Sequence, residues 1–330
     1  MAEASVQSNL PVLPDFEQLS DRVWRLIYLH QTGTNTYLVG LGQRKVLIDC
    51  GDGHPGYVPL LIRSLQSIHP NAYISDILIS HGHKDHWGGL NDILTSELNK
   101  NRKIQVHKYP LSEDARLLKY MTTFPTSAEL IDLEDGQLFE IDQDTHVRVM
   151  HTPGHCEDHC SFYLEQEKVL FTADCILGHG SVAFDDLKEY MNSLQHIRNL
   201  NPGRLYPGHG QVVEDSLQKI DQYFSMRLAK EKLIIDTMIQ NKDTPMSAYD
   251  IVEATSNNAK KKLEGYILIS AAIVIGLHLI KLFSDGKAEL VHPEEFVKAK
   301  GIDPYNSANV VDILHEKWRY IGDIHTISKL

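Results

Sequence analysis

The chain of 330 residues is 42% hydrophobic and 23% charged, ordinary values for a globular protein with one large core, or a large domain and a smaller one. Its formal net charge of −12, essentially all of it in residues 1–225, excludes a surface that attracts nucleic-acid backbone everywhere. No internal repeat or low-complexity tract is visible, which excludes repeat architectures.

Met1–Asp21 carries Glu3, Asp15, Glu17 and Asp21 but no Lys or Arg. It reads as neither a secretory signal nor an arginine-rich transit peptide, so the cytoplasm is the expected location. Cys50, Cys156, Cys160 and Cys175 fall at or near strand ends without a paired framework, so a reducing compartment and a packing role are expected.

Lys45–Ile48 reads as a strand that closes on Asp49. Ser75–Ser80 reads as a buried strand, and Trp87–Leu94 begins a helix. Between these two stands His81-Gly82-His83-Lys84-Asp85-His86. In an extended segment His81 and His83 point the same way, and a turn after Lys84 swings Asp85 and His86 to a neighbouring position. Further on, Val147–His151 is a strand that runs through a Pro-Gly turn into His155, and the apolar strand Val169–Ala173 ends in Asp174. Arg204–Tyr206 repeats the pattern of strand, Pro-Gly turn and histidine, ending in His209. Each of these side chains sits on a loop carried by a rigid element, where function concentrates.

Five imidazoles and two carboxylates, with no thiolate among them, suit zinc and its neighbours and argue against softer metals and iron–sulfur clusters. Such an open set reads as catalytic. The six-residue run alone arises by chance in roughly a few of every thousand such chains, too rarely for an incidental histidine cluster to be the better explanation.

In this order the motifs resemble those of the metallo-β-lactamase superfamily of hydrolases. The resemblance implies an αβ/βα sandwich of two mixed sheets with helices outside and two metals at one sheet edge. It implies one zinc held by His81, His83 and His155, a second by Asp85, His86 and His209, and Asp174 bridging them, with other divalent metals possible. It also implies that Asp49 orients a ligand imidazole from behind. Asp85 is the candidate catalytic residue, as ligand and as the group that orients the attacking water or accepts its proton. Two Zn2+ ions bring a shared water toward neutral pKa and stabilise charge on a carbonyl or phosphoryl oxygen alike.

Thr32–Gly40, Asp174–Gly180 and Phe184–Leu194 narrow the likeness to the lactamase-beta-2 subgroup, whose animal member is a mitochondrial endoribonuclease, so the mitochondrion is the alternative location. Fungal lactamase-like thioesterases that release polyketides share much of the pattern, including Gly178-His179-Gly180 after the carboxylate. His179 is the candidate substrate contact. Two features depart from the subgroup: the loop Tyr28–Thr32 is shorter, and Gly82 stands where an aromatic is common. Only 35 residues separate Asp174 from His209, too few for the cap of the β-CASP nucleases.

Asp215–Ile239 reads as a long amphipathic helix, broken at Asn241–Pro245, and Ser247–Ala254 as another helix. Leu277–Leu290 reads as a helix, a Gly turn and a short strand, an order that resembles the subgroup's winged-helix-like C-terminal region. The expected organisation is a catalytic domain at 1–225, a small winged-helix-like α+β domain at 226–290 and a tail of unread role at 291–330. Tyr266–Ile280 is strongly apolar but shorter than the ~20 residues needed to cross a bilayer, so a buried helix and no integral membrane span are expected. Lys260-Lys261-Lys262 reads as a solvated helix face, or as a local hold on RNA phosphates.

The expected function is hydrolysis by a dinuclear zinc centre, with single-stranded RNA as substrate of an endoribonuclease. The alternative is an acyl thioester, split by a polyketide-releasing or glyoxalase-II-like enzyme. A nucleic-acid or partner-binding scaffold without catalysis is the third reading, and the complete ligand set argues against it.

Overall fold

A computed structural model describes residues 12–28, 33–100, 102–111, 121–126, 128–258 and 263–322. Leu29–Thr32 of the shortened loop, Lys260-Lys261-Lys262 and the first 11 residues lie outside the described residues. The chain divides into two compact units, Met1–Val182 with Ser193–Lys219, and Ala183–Asn192 with Ile220–Leu330.

The first unit is built on two sheets. Seven strands form one: β1 (Phe16–Gln18), β2 (Val23–Ile27), β3 (Asn35–Val39), β4 (Arg44–Ile48), β5 (Tyr73–Ile79), β6 (Gln105–Lys108) and β7 (Leu130–Asp132), in that spatial order. Pairing is antiparallel from β1 to β4 and parallel from β4 to β7. The other five are β8 (Leu138–Asp142), β9 (Thr145–His151), β10 (Cys160–Leu164), β11 (Val169–Ala173) and β12 (Arg204–Pro207). They form an antiparallel meander up to β11, with β12 added parallel to it.

The near-continuous apolar runs of the central strands reflect burial on both faces. Val46, Ile48, Leu78, Tyr37 and Val39 pack with Val147, Val149, Phe162, Phe171 and Tyr206, forming the core between the two sheets. The alternate residues Leu38, Leu47, Ile77 and Ile79 turn the other way. They pack against Leu60, Leu61 and Leu65 of α1 (Tyr57–Ile68), Trp87 of α2 (Lys84–Trp87), and Leu90 and Ile93 of α3 (Leu90–Thr95). A short α4 follows at Glu97–Lys100.

Strand direction decides where function can sit. β4 and β5 run parallel, and β9, β11 and β12 share one direction, so the loops after them open at common edges. Those loops hold the histidines and aspartates singled out above.

In the second unit the long helices form where the sequence places them. α5 (Leu187–Leu200) begins in this unit and ends in the first; α6 (Ser216–Gln240) and α7 (Ala248–Asn258) precede α8 (Gly265–Ser284). Asp285-Gly286 then turns the chain, Gly286 at φ 68, into β13 (Ala288–Leu290). The residues after 290 belong to this α+β unit: α9 (Pro293–Lys300) and a 3₁₀ turn at Ser307–Ile313 lead to β14 (Trp318–Tyr320), antiparallel to β13.

One length expectation is corrected. α8 has 20 residues and contains an 18-residue window with a mean hydropathy of 2.2, long and apolar enough to cross a membrane by those two measures. The apolar run counted from sequence stops at Ile280, but the helix continues through Lys281-Leu282-Phe283-Ser284, where Lys281 pairs with Glu231 and Asp285. Ala272, Ile275, Leu277, Leu279 and Leu282 are buried, while Tyr266, Ile267 and Ile269 at its start are exposed.

Two buried polar clusters tie the first unit together. Lys108, at the end of β6, forms an ion pair with Asp158 of the β9–β10 loop, and both are buried. Asp76 on β5 is held by His107 Nε2 at 3.0 Å and by Arg44 at 3.0 Å. Burial opposes its ionisation, but hydrogen bonds from His107, Ser75 and Arg44 outweigh it and draw the pKa down to about 2. A depressed carboxylate pKa stabilises the fold fully above the unfolded value near 4. That contribution is lost as pH falls toward 2. Asp76→Ala is therefore expected to cost about 2 kcal/mol at neutral pH and to flatten the loss of stability between pH ~4 and ~2, as read by urea unfolding across that range.

Candidate metal centre

β5 ends at Ile79, and a non-helical stretch that bends at Gly82 and is extended at His83 leads to the one-turn helix α2 at Lys84. This change of conformation separates the two pairs: His81 and His83 lie on the non-helical stretch before α2, while Asp85 and His86 project from the helical turn. His155 arrives from the loop after β9, Asp174 from the end of β11 and His209 from the end of β12.

The side chains gather in two groups. His81, His83, His155 and Asp174 have ligand atoms within 4.8 Å of one another, as do Asp85, His86 and His209. In the first group His83 Nδ1 lies 2.9 Å from both His81 Nε2 and His155 Nε2. An ion with bonds of ~2.0–2.1 Å in tetrahedral geometry sets its nitrogens about 3.3 Å apart, so a small breathing motion accommodates it. In the second, His209 Nε2 is 3.3 Å and His86 Nε2 3.5 Å from Asp85 Oδ2.

Asp174 faces both groups, one oxygen to each. Oδ2 lies 3.6 Å from His155 Nε2, whereas Oδ1 lies 3.4 Å from His86 Nε2 and 3.3 Å from His209 Nε2. His86 Nε2 and Asp174 Oδ1 are buried and lack an aligned hydrogen bond although they face each other. Orphaned buried polar atoms are costly, and a cation between them satisfies both at once. The residues present therefore fit a metal centre, and the donor set of imidazole and carboxylate suits zinc or a neighbouring divalent ion.

Protonation follows the same division. Burial and the imidazoles of His86 and His155 push the pKa of His81 well down, and burial with His155 and His86 takes His83 down to about 4, leaving both rings neutral and able to ligate. Burial also disfavours charge on His86 and His209, but the carboxylates prevail. Asp174, Asp49 and Asp85 hold His86 well above its ordinary value, and Asp174 with Asp85 raises His209 to about 9. The field that favours a proton there favours any cation.

Behind the ligands stand residues that aim them. Asp49 Oδ2 accepts from His86 Nδ1 at 2.7 Å and from Ser80 Oγ at 2.8 Å, and Oδ1 accepts from the Ser80 amide at 2.8 Å. This turns His86 Nε2 toward Asp174, the role expected of Asp49. Sequence reading missed the function of Thr34, Asn35 and Tyr37, noted there only for their likeness. Thr34 Oγ1 donates to Asp85 Oδ2 at 3.0 Å. Asn35 Nδ2 donates to the carbonyls of Pro207 and Gly210, and the Tyr37 hydroxyl donates to Pro207 at 2.7 Å, so β3 grips the turn that carries His209. Gly208 lies in that turn because a Cβ there would sit 2.6 Å from Asp174 Oδ1 and 3.0 Å from His86 Cε1.

His179 belongs to neither group. Its loop is tied by the Gly178 amide to the His209 carbonyl at 2.8 Å, and its ring lies 2.7 Å from where a Gly210 Cβ would stand. It is half-buried, flanking the His209 turn. The cysteines are all free and buried; burial pushes their thiols up, Cys175 to about 12, which suits packing rather than reactivity.

The profile of the family described as the metallo-beta-lactamase superfamily matches residues 31–209, the span that holds all these side chains. The chain belongs to that superfamily of metal-dependent hydrolases. It is 35% identical to a Beta-lactamase-like protein 2 homolog of Caenorhabditis elegans over 87% of this chain and 93% of that protein. It is 36% identical to the lactamase-like protein nscB of Aspergillus fumigatus over 72% of this chain and 67% of that one. A beta-lactamase domain protein from Burkholderia ambifaria shares the fold with a TM-score of 0.69 at 18% identity, covering 96% of each chain.

Removing the Asn35 amide takes away the side-chain donor to the Gly210 carbonyl and leaves the Pro207 carbonyl with the Tyr37 hydroxyl alone. Asn35→Ala is expected to cost about 1–3 kcal/mol in urea unfolding and to lower metal content after purification, whereas Tyr37→Phe, which removes one bond to the same turn, is expected to cost about 1 kcal/mol.

Proposed function

We propose that the protein is a dinuclear zinc hydrolase acting as an endoribonuclease on single-stranded RNA. Two ions are supported by one observation above the rest: Asp174 divides its oxygens between the two imidazole groups. RNA is supported by the reach of the animal likeness. It covers 87% of this chain and 93% of the Caenorhabditis relative, hence both units, against 72% and 67% for the fungal protein. The subgroup whose motifs this chain resembles includes an animal endoribonuclease.

Bound divalent ions supply Lewis acidity and an activated water. The chain's own residues orient and discharge. Burial raises the pKa of Asp85, but His86 and His209 outweigh it and hold it well below the usual carboxylate range, so the carboxylate stays ionised. At 23% side-chain exposure it is reachable from solvent, and Thr34 fixes its Oδ2. With an ion bound there, Asp85 would help hold it and would orient the attacking water or accept its proton. His179, beside the His209 turn, donates a hydrogen bond to the leaving group.

Thioester hydrolysis is the second reading, supported by the 36% identity to the Aspergillus protein and by Gly178-His179-Gly180, shared with the fungal thioesterases. Purified protein of measured metal content, given a labelled single-stranded RNA and an acyl thioester in parallel, separates the two. RNA cleavage abolished in Asp174→Ala and His83→Ala is the expected result. Thioester turnover with intact RNA would overturn the nuclease reading.

A further inference from the structure

His159 is fully buried beside the metal centre, its ring centroid 5.2 Å from that of His81 and 5.7 Å from that of His155, yet it belongs to neither ligand group. Its hydrogen bonds settle which nitrogen carries the proton. The backbone amide of Asp174 donates to His159 Nε2 at 3.2 Å, and an amide nitrogen can only donate, so Nε2 holds a lone pair. The proton of the neutral ring is then on Nδ1, 2.9 Å from Thr152 Oγ1, which accepts it. The Thr152 hydroxyl also shares a hydrogen bond with Ser161 Oγ at 3.0 Å, and the Thr152 amide donates to the His159 carbonyl at 2.9 Å. Burial, with His155 next, holds the ring's pKa well below the ordinary value, so it stays neutral.

The Asp174 amide needs such an acceptor for a local reason. The pairing of β11 with β12 slips register between Phe171 and Ala173, and Ala173 stands at φ 42, a left-handed bend that a side chain rarely adopts. Past that bend the ladder no longer serves the next amide. A buried amide without an acceptor costs about 1–3 kcal/mol, and a bend of this kind persists only where its surroundings fix it. Gly208, donating to the Ala173 carbonyl at 2.8 Å, fixes one side of the bend; His159 takes the other.

Resting on the metal-holding reading of the centre, we propose that His159 is a positioning residue. As the Nδ1–H tautomer oriented by Thr152, it accepts the Asp174 amide at Nε2 and so holds the Asp174 carboxylate between the two ligand groups. It holds a ligand's backbone and is not itself a ligand, since its one lone pair is already used.

The test is zinc uptake by chelator-stripped full-length protein, followed in competition with a chromophoric chelator, for wild type, His159→Ala, His159→Gln and Thr152→Val. Thermal unfolding of each stripped protein runs alongside. His159→Ala is expected to bind zinc ~10–100-fold more weakly, the usual loss when a partner behind a ligand is removed. His159→Gln, whose amide oxygen reaches the place of Nε2, is expected to recover most of that loss, and Thr152→Val to fall between. A His159→Ala protein that binds zinc like wild type overturns the inference, as does a His159→Gln protein no better than His159→Ala. Should His159→Ala fail to fold, Thr152→Val carries the test, and unchanged zinc affinity there overturns it. Wild-type protein that takes up no zinc overturns the metal reading itself, and with it this inference.

Discussion

Five imidazoles and two carboxylates packed within a few ångströms are stable only if each is held from behind, and the edge of the first unit is built around that constraint. Asp49 and Ser80 hold His86, Thr34 holds Asp85, and His159 with Gly208 holds the bend before Asp174. A buried ion lacking such partners costs several kcal/mol. Non-glycine residues in the left-handed region border the cluster, Asp49 behind His86 at φ 60 and Ala173 just before Asp174 at φ 42. Strain of this sort concentrates at functional sites, where the surrounding bonds over-determine the backbone.

The same bonds join the sheets. Asn35 and Tyr37 reach from the seven-stranded sheet to the carbonyls at Pro207 and Gly210, the Cys160 amide donates to the Ser80 carbonyl at 2.8 Å, and the buried Lys108–Asp158 pair links β6 to the loop that bears His155 and His159. A ligand from one sheet is therefore fixed against ligands from the other by hydrogen bonds as well as by the shared apolar core. Such a scaffold is stiff at the histidine and aspartate cluster, and function-bearing loops surround it.

In the second unit the apolar helix α8 is unevenly buried, its first turns exposed and its later turns packed. α8 passes the length and hydropathy of a membrane span, yet Ala272 to Leu282 packs into its own unit, with Gly276 so close to Val310 that a Cβ would stand 2.7 Å from its methyl group. The residues after 290, unread in the sequence, contribute Val310 and Leu314 to that packing, beside α7, and the strand that pairs with β13.

The ligand set was legible because its cues are local. Alternation around Gly82, a turn expected after Lys84 that the structure begins at Lys84 itself, and apolar strands ending in a Pro-Gly turn or a carboxylate depend on neighbours a few residues away. The cysteines and the long helices were legible for the same reason. The sequence by itself determined the residues of the centre and the strands that deliver them. Tertiary structure alone decided that Asp174 divides its oxygens between two groups, that Thr34 serves Asp85 from 51 positions away, and that Asn35 grips Pro207 from 172 away. Those pairings follow from the direction and register of strands far apart in the chain, which no local period encodes.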